Sequence, residues 1–595
     1  MRALSSSPAP VARCAPARAR AWFAALLVLA LGLYAPSLGA GYMADDFGVQ
    51  LVLDGRIESP TWKPWSLYDF GTLASAPESS TERAAFPWWV DADWKVRFFR
   101  PLTSLSLWLD YALFGSSPAA GHAVNLGLFA LLLVAARRLY AQLGLAHRTA
   151  LLALAIFVAD NGGLLPVGWI ANRNSLLEAL FAALALHAGL VARERGSRRH
   201  FVAALWLAFF ALLAKESGLH VAAGLTLLFF FARRADAPPR LSRVVVVAPL
   251  ALALVYLAGY AASGMGSNVL FYPMPWSAPA EFARGAMAMF VCAPIAAVSP
   301  FPIDALLLAP EYSRALLALA AVFGVGIVAL FVPRLRGVRA SGLLTLLGVL
   351  ALLPQAGAPP SDRLMFTPML YWAPLIALVL ERTLTAAWRE RTSRGMRLAA
   401  RSIAVAQVLS ALVVLGGGLG MAKSWARMRS VIAGADVGPA ELGERHAFVL
   451  QASPSSLVAL GPLSTWIFEG GSERVRFHPL QAGQRALTWT RSAEDRFMLE
   501  SLDGAFLSNP IERVFLTAEP RAGGERTWKT RYFEVHGAPD ADGELWRLEF
   551  RLDTSLDDPR WRFLVFDGQR LVHRAPPRIG ESVRFERGER DPFLP

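Results

Sequence analysis

Residues 201–232 read FVAALWLAFFALLAKESGLHVAAGLTLLFFFA, and this stretch decides the class of fold. Two apolar runs, 201–214 and 217–232, flank one charged pair, Lys215-Glu216. Placing charge inside so long an apolar stretch is expensive in lipid, so the pair reads as a functional feature or as a tight turn between two short spans. Working outward, similar runs recur near 121–136, 149–166, 175–192, 243–262, 282–298, 313–332, 341–355, 365–380 and 400–420, after a first one from Ala21 to Leu38. The first is about as long as a helix needs to cross a hydrocarbon core of about 30 Å.

Composition agrees. A chain of 595 residues would ordinarily form several soluble domains, but 54% of these residues are hydrophobic and only 18% charged. The net charge of +13 comes almost entirely from arginine, lysine being confined to Lys63, Lys95, Lys215, Lys423 and Lys529. The basic residues cluster between apolar runs, at Arg137-Arg138, Arg193–Arg199, Arg233–Arg243, Arg334–Arg339 and Arg382–Arg401. That is a positive-inside pattern, and it argues against a nucleic-acid partner. With only Cys14 and Cys292 present, no structural disulfide is expected.

The expected fold is a polytopic α-helical membrane protein of about 11–13 transmembrane helices with a C-terminal soluble, β-rich α+β domain. An Arg-rich cytoplasmic tail covers 1–20, the transmembrane domain 21–425 with a large extracytoplasmic loop at 42–120, and an extracytoplasmic β-rich domain 436–595. The loop ends in an interfacial helix from Pro101 to Phe114. Alternation leaves one parity problem. Either 282–298 is re-entrant, or 263–281 hides another crossing. In the C-terminal domain, short alternating segments predict strands at Ala447–Leu450, Leu457–Leu460, Arg474–Phe477, Ala486–Thr490, Val514–Leu516, Thr530–Val535, Leu545–Leu552 and Arg562–Phe566. Trp466, Trp489, Trp528, Trp546 and Trp561 suit a core better than a sugar-stacking surface.

Five polar features interrupt the apolar pattern. Asp45-Asp46 follows the first helix, where one carboxylate can act as a general base, or the two can hold a divalent metal. Arg100 opens the interfacial helix and can fork onto a phosphate or snorkel to headgroups. His122 and Asn125 share a helix face further on, where helix–helix hydrogen bonding is the plainer role. Asn172-Arg173-Asn174, with Glu178 one turn later, forms a polar knot between spans. Lys215-Glu216 is the fourth feature, and Asp362-Arg363, opening a late span, the last. Alternation puts all five at the outer membrane face. Their convergence argues for one extracytoplasmic site.

The motif order FRPLTSLSLWLDYALFG, GHAVNL, WIANRNSLLEALF, AKESG and SDRLMFTP, after an acidic pair behind the first helix, resembles the GT-C glycosyltransferases. The likeness is to the membrane half of the protein O-mannosyltransferase-like proteins that carry tetratricopeptide repeats, over residues 20–425. It implies an inverting glycosyltransferase that takes a sugar from a polyprenyl-phosphate-linked donor to an extracytoplasmic acceptor hydroxyl on a glycan, lipid or protein. Under it, Asp45 or Asp46 is the catalytic acid, Arg100, Arg173, Lys215 and Arg363 bind donor phosphate, and His122, Asn125, Asn172, Glu178 and Glu216 support them. The superfamily has metal-dependent and metal-free members, so a divalent metal at Asp45-Asp46 stays open. The implied location is a bacterial-type inner membrane, with a cytoplasmic N-terminus. The repeats are missing and a β-rich domain stands in their place, so protein O-glycosylation does not carry over. A transporter or flippase of a lipid-linked or polar solute would instead show charges through the midplane and inverted repeats. A non-catalytic scaffold would be indifferent to loss of Asp45 and Asp46.

Overall fold

The computed structural model describes residues 16–57, 61–75, 86–232, 244–301, 303–308, 312–338, 340–385, 392–438, 443–451, 461–482, 485–519 and 524–587. The sequence features at 1–15, Cys14 among them, the whole 233–243 connection and the expected strand at Leu457–Leu460 lie outside these residues.

The apolar runs fold as helices. In chain order they are α1 (Pro16–Tyr34), α2 (Asp45–Leu53), α3 (Pro101–Phe114), α4 (Pro118–Gln142), α5 (His147–Ala159), α6 (Leu164–Gly168), α7 (Arg173–Arg195), α8 (Arg198–Ala214), α9 (Leu219–Ala232) and α10 (Val244–Ala262). Then follow α11 (Pro279–Val298), α12 (Ala305–Leu308), α13 (Ser313–Leu335), α14 (Ser341–Leu352), α15 (Phe366–Leu384) and α16 (Arg394–Ala433). Among the described residues eight helices are long and apolar enough to cross a membrane, or nine if α5 and the bent Asn161–Gly168 segment make one span. Helix α8 and the shorter apolar stretches Glu216–Phe230 and Ser341–Gln355 bring the bundle to the size the sequence implies. The protein is a multi-pass membrane protein. Small residues let its central helices pack closely, as where Gly189 meets Leu225 and Gly224 meets Leu347. Peripheral α13 and the first half of α16 turn Val322, Phe323, Val325, Val408 and Leu412 outward, as a lipid-facing surface requires.

Two ends of the bundle can be told apart. At one, α4 meets α7 through Gln142 and Glu194, Thr149 bonds Glu381 at 2.5 Å, and Arg382 donates to the Arg334 carbonyl at 2.7 Å. This is the basic end. The other carries α2, α3 and the β domain. Helix α11 does not run between the two. Phe282 and Gly285 lie against Gly357 and Ala356, and shortly after the helix the Ile303 N–H donates to Asp362 Oδ1 at 3.1 Å. Both flanks meet one segment at the β-domain end, so α11 is re-entrant. Residues 263–281 hold no crossing; Gly266–Ser267 (β3) joins a small sheet with Asp69–Thr72 (β1) and Lys95–Arg97 (β2). Helix α3 exposes Leu105, Trp108, Leu109, Leu113 and Phe114, the face an interfacial helix needs.

Helix α16 continues well past the bundle. Its last turns bury Met428, Val431 and Ile432 against the C-terminal domain. That domain has a six-stranded antiparallel sheet, ordered β13-β6-β7-β10-β9-β8, and a four-stranded sheet, β12-β11-β4-β5. Their strands are β4 Arg445–Val449, β5 Val475–Pro479, β6 Leu487–Arg491, β7 Arg496–Ser501, β8 Arg526–Lys529, β9 Phe533–Gly537, β10 Arg547–Leu552, β11 Trp561–Phe566, β12 Leu571–His573 and β13 Ser582–Phe585. Strand β4 runs parallel to both β11 and β5, and α17 (Pro462–Phe468) lies between β4 and β5 in the chain. Val514–Leu516 is not the expected strand: it trails the one-turn helix α18 (Pro510–Arg513), whose Asn509–Glu512 capping box turns the chain away from a ladder. Trp489, Trp528 and Trp561 are core residues, Trp466 is half-buried, and Trp546 is exposed.

The first loop is not a free excursion. Trp89 Nε1 donates to the Glu512 carbonyl at 3.2 Å and Trp94 Nε1 to that of Val514 at 3.0 Å, while Asp91 accepts from the Thr517 N–H at 2.8 Å. The loop, Val269 just after β3, and the C-terminal domain share one hydrophobic core.

Candidate active site

Chain geometry begins at Ala44. Its φ of 45° and ψ of −119° is a backbone conformation that costs an L-residue on the order of 1–3 kcal/mol. It turns the chain sharply from α1 into α2, so that Asp45 and Asp46 leave in different directions. Asp46 points into protein. Its Oδ2 accepts from the Met43 N–H at 3.0 Å and its Oδ1 from the Ala171 N–H at 2.8 Å, which staples α2 to the turn before α7. Asp45 faces a cavity of about 1260 Å³ between the bundle and the C-terminal domain. Its carboxylate accepts from no described residue but its own N–H.

Three cations share that cavity with Asp45. Arg100, the residue capping α3, sits over the rings of Phe98 and Tyr68 and is held by Glu216, its Nε at 3.0 Å and its Nη2 at 2.9 Å from Oε2. Lys215 is bound to neutral oxygens, Ser175 Oγ and Gln355 Oε1, both at 3.0 Å. Arg363 stands over the Trp169 ring and makes no hydrogen bond or ion pair with a described residue. Its guanidinium is the one of the three with its donors unspent. The Lys215-Glu216 turn is placed by Gly218, where a Cβ would come within 2.6 Å of the Ala211 backbone. Only glycine lets the turn pack on α8 so tightly.

Electrostatics separates the acids. Burial raises the Asp45 carboxyl above its ordinary range, and Arg363 and Arg100 oppose that rise. Asp46 is pushed well up, by burial and then by the neighbouring Asp45 charge, with its two backbone donors acting the other way. Burial, aided by Arg100, lowers the Lys215 ammonium to about 8.

The remaining sequence candidates fall into two groups. Asn172 and Glu216 line the cavity with Asp45, Arg100, Lys215 and Arg363. Arg173, His122, Asn125 and Glu178 sit behind its wall. Arg173 is fully buried and spends its donors on Asn125 Oδ1 (2.6 Å), Ser106 O (3.2 Å), Asp110 (2.5 Å) and Gly121 O (3.0 Å). His122 Nε2 meets the Gly41 carbonyl at 2.9 Å, so it supports the turn that carries Asp45. Glu178 accepts from Thr367 at 2.6 Å and lies 3.2 Å from His220 Nδ1, whose ring meets the Tyr371 hydroxyl through Nε2 at 2.8 Å.

The acid pair does not suit a divalent metal as a two-carboxylate clamp. Both Asp46 oxygens are taken by backbone donors, and Asp45 faces arginines. Among the described residues no three His, Cys, Asp or Glu side chains come together.

Sequence reading missed Ser175, His220 and Gln355. Gln355 and His220 carry a signal of the same kind as Lys215, a polar side chain at the edge of an apolar run. Ser175 carries none, because a serine inside a helix is unremarkable in sequence.

No family model matches the chain, and no curated protein matches it either. Among solved structures it is similar to the apo oligosaccharyltransferase of Archaeoglobus fulgidus, at 13% identity and a TM-score of 0.40 over 78% of this chain and 65% of that one. The oligosaccharyltransferase AglB from Archaeoglobus fulgidus, in complex with an inhibitory peptide and a dolichol-phosphate, gives 14% and 0.38 over 80% and 66%. ArnT from Cupriavidus metallidurans in the apo state gives 16% and 0.36 over 78% and 86%. The chain thus spans just under two thirds of the length of the archaeal oligosaccharyltransferase.

Proposed function

We propose that the protein is a GT-C-type membrane glycosyltransferase that moves a sugar from a polyprenyl-phosphate-linked donor to an acceptor hydroxyl. The observation that carries this reading is the pairing, in one cavity at the bundle's rim, of an unengaged carboxylate with a guanidinium whose donors are unspent. The Asp45 carboxylate takes the proton of the acceptor hydroxyl. The acceptor oxygen attacks the anomeric carbon from the face opposite the phosphate, forming the new glycosidic bond with inversion. The bond from that carbon to the phosphate oxygen breaks, and its electron pair leaves on the lipid phosphate. Arg363, with Lys215 beside it, holds the charge that develops there. Arg100 is already paired with Glu216, so it fixes Glu216 and the Lys215 turn in place. Asn172 and Asn174 line the cavity as hydrogen-bonding groups for the sugar.

The reaction suits a rim. The donor's prenyl tail can stay among apolar helices, while the sugar meets polar groups. In this reading the basic end faces the cytoplasm of a bacterial-type inner membrane, and the C-terminal domain stands outside it.

The test is transfer of labelled sugar from polyprenyl-phosphate donors in membranes, at matched expression. Asp45→Asn abolishes transfer and leaves folded protein. Transfer that persists in Asp45→Asn overturns the assignment of the base.

A further inference from the structure

The turn that carries Asp45 is gripped from both sides, and the second grip comes from the C-terminal domain. On the bundle side, His122 holds the Gly41 carbonyl and Asp46 holds the Ala171 N–H. On the other side stands Phe468, the last residue of α17. Its ring meets Tyr42 edge-on at 5.2 Å and Phe47 at 5.4 Å, and those two residues bracket the acid pair. Tyr42 and Phe47 also meet each other, at 6.2 Å, which closes a three-ring cluster. Edge-to-face rings at these separations have a defined geometry and attract beyond what their buried area alone supplies. Around the rings, Arg56 Nη2 donates to the Ile467 carbonyl at 2.6 Å, and the Arg429 guanidinium packs on Gly41 while facing Glu469 at 3.8 Å. The strained Ala44 sits between these grips. A conformation of that kind persists only when its surroundings over-determine it.

We propose that the C-terminal domain positions the catalytic base, and that Phe468 is the positioning residue through which it does so. Phe468 is half-buried and does not line the cavity, so it acts through the Tyr42–Phe47 turn and not on substrate. The inference rests on Asp45 being the base. It assigns the domain a mechanical part in transfer, whatever the acceptor.

The test compares Phe468→Ala, Phe468→Tyr and a control, Phe585→Ala, in purified protein reconstituted in nanodiscs. Phe585 is buried in the six-stranded sheet against Trp489, away from α17, so its loss loosens the same domain without touching the turn. Two readouts are taken: steady-state transfer, and deuterium uptake of a peptide covering residues 42–53. Phe468→Ala is expected to lower kcat roughly ten- to hundred-fold, the scale of an ångström of misplacement, with donor KM unchanged and uptake raised. Phe468→Tyr, which keeps the ring edges, restores both. Phe585→Ala lowers the melting temperature but leaves kcat per folded molecule and uptake at 42–53 as they were. Unchanged uptake in Phe468→Ala overturns the proposal, whatever kcat does. Raised uptake with an unchanged kcat keeps the clamp and overturns Asp45 as the base, so the two readings fail separately.

Discussion

Arg173→Met tests whether Arg173 serves the donor phosphate or the fold. As a phosphate ligand, Arg173 could be removed at the expense of donor affinity alone. As a buried structural cation, it leaves four acceptors behind: the Asn125 amide oxygen, the Ser106 and Gly121 carbonyls and the Asp110 carboxylate. An orphaned buried acceptor costs about 1–3 kcal/mol. Asp110 recovers part of its hydration, since its side chain keeps 16% of its exposure, whereas that of Arg173 keeps none. Removing one partner of a buried pair costs about 3–5 kcal/mol, which is a large share of the 5–15 kcal/mol that holds a typical domain together. Arg173→Met should therefore melt well below the wild type in detergent and yield little folded protein. Adding Asp110→Asn should recover part of the loss by removing the stranded charge. The assay is thermal unfolding of purified protein, with donor KM measured on whatever folds. A variant that melts like the wild type but binds donor weakly would refute this reasoning and return Arg173 to the phosphate.

Three further outcomes follow from the geometry. Arg363→Met should leave melting unchanged while raising donor KM at least ten-fold, since its guanidinium has no described hydrogen-bond partner to strand; steady-state transfer with varied donor measures this. Transfer should rise with pH as the Asp45 carboxyl, raised by burial, gives up its proton, and fall again as Lys215 loses its charge near 8. Arg363→Met should move the acid limb upward, because Arg363 opposes that rise, and a profile of kcat/KM against pH would show a limb that stays in place if Asp45 is not the base. In the C-terminal domain, burial lowers His446 to about 3, with Arg560 and Arg476 adding to it. The unfolded chain takes up that proton near the ordinary histidine value and the folded chain does not, so stability is lost as pH falls from about 6.5 toward 3. The loss is about 2 kcal/mol at pH 5 from His446 alone, and unfolding at pH 5 and 7.5 should show it diminished in His446→Asn.

What was legible in the sequence depended on which solvent a segment meets. The bundle could be read because lipid imposes one rule, that a crossing must be apolar and helical, and because arginine marks one end. Alternation alone then carried Asp45, Arg100, Lys215 and Arg363 to the same rim, where they share a cavity. It could not say which way a side chain faces once there. Asp45 and Asp46 are chemically equal in sequence, and only the Ala44 turn separates them, sending one carboxylate to the cavity and the other to the Ala171 N–H. Arg173 and Arg363 are likewise equal as residue types. They differ because Arg173 begins a helix surrounded by acceptors, while Arg363 lies in a turn beside an indole face. Parity raised a re-entrant 282–298 but did not decide it, because an apolar helix looks alike whether it crosses or turns back, and only the contacts at both its flanks decide. The weld between the first loop and the C-terminal domain left no local pattern at all, since Trp89 and Glu512 are more than four hundred residues apart and meet through a backbone carbonyl that any residue could supply. Residue type is written locally, but direction is set by partners far along the chain. In this protein the catalytic assignment turns on direction.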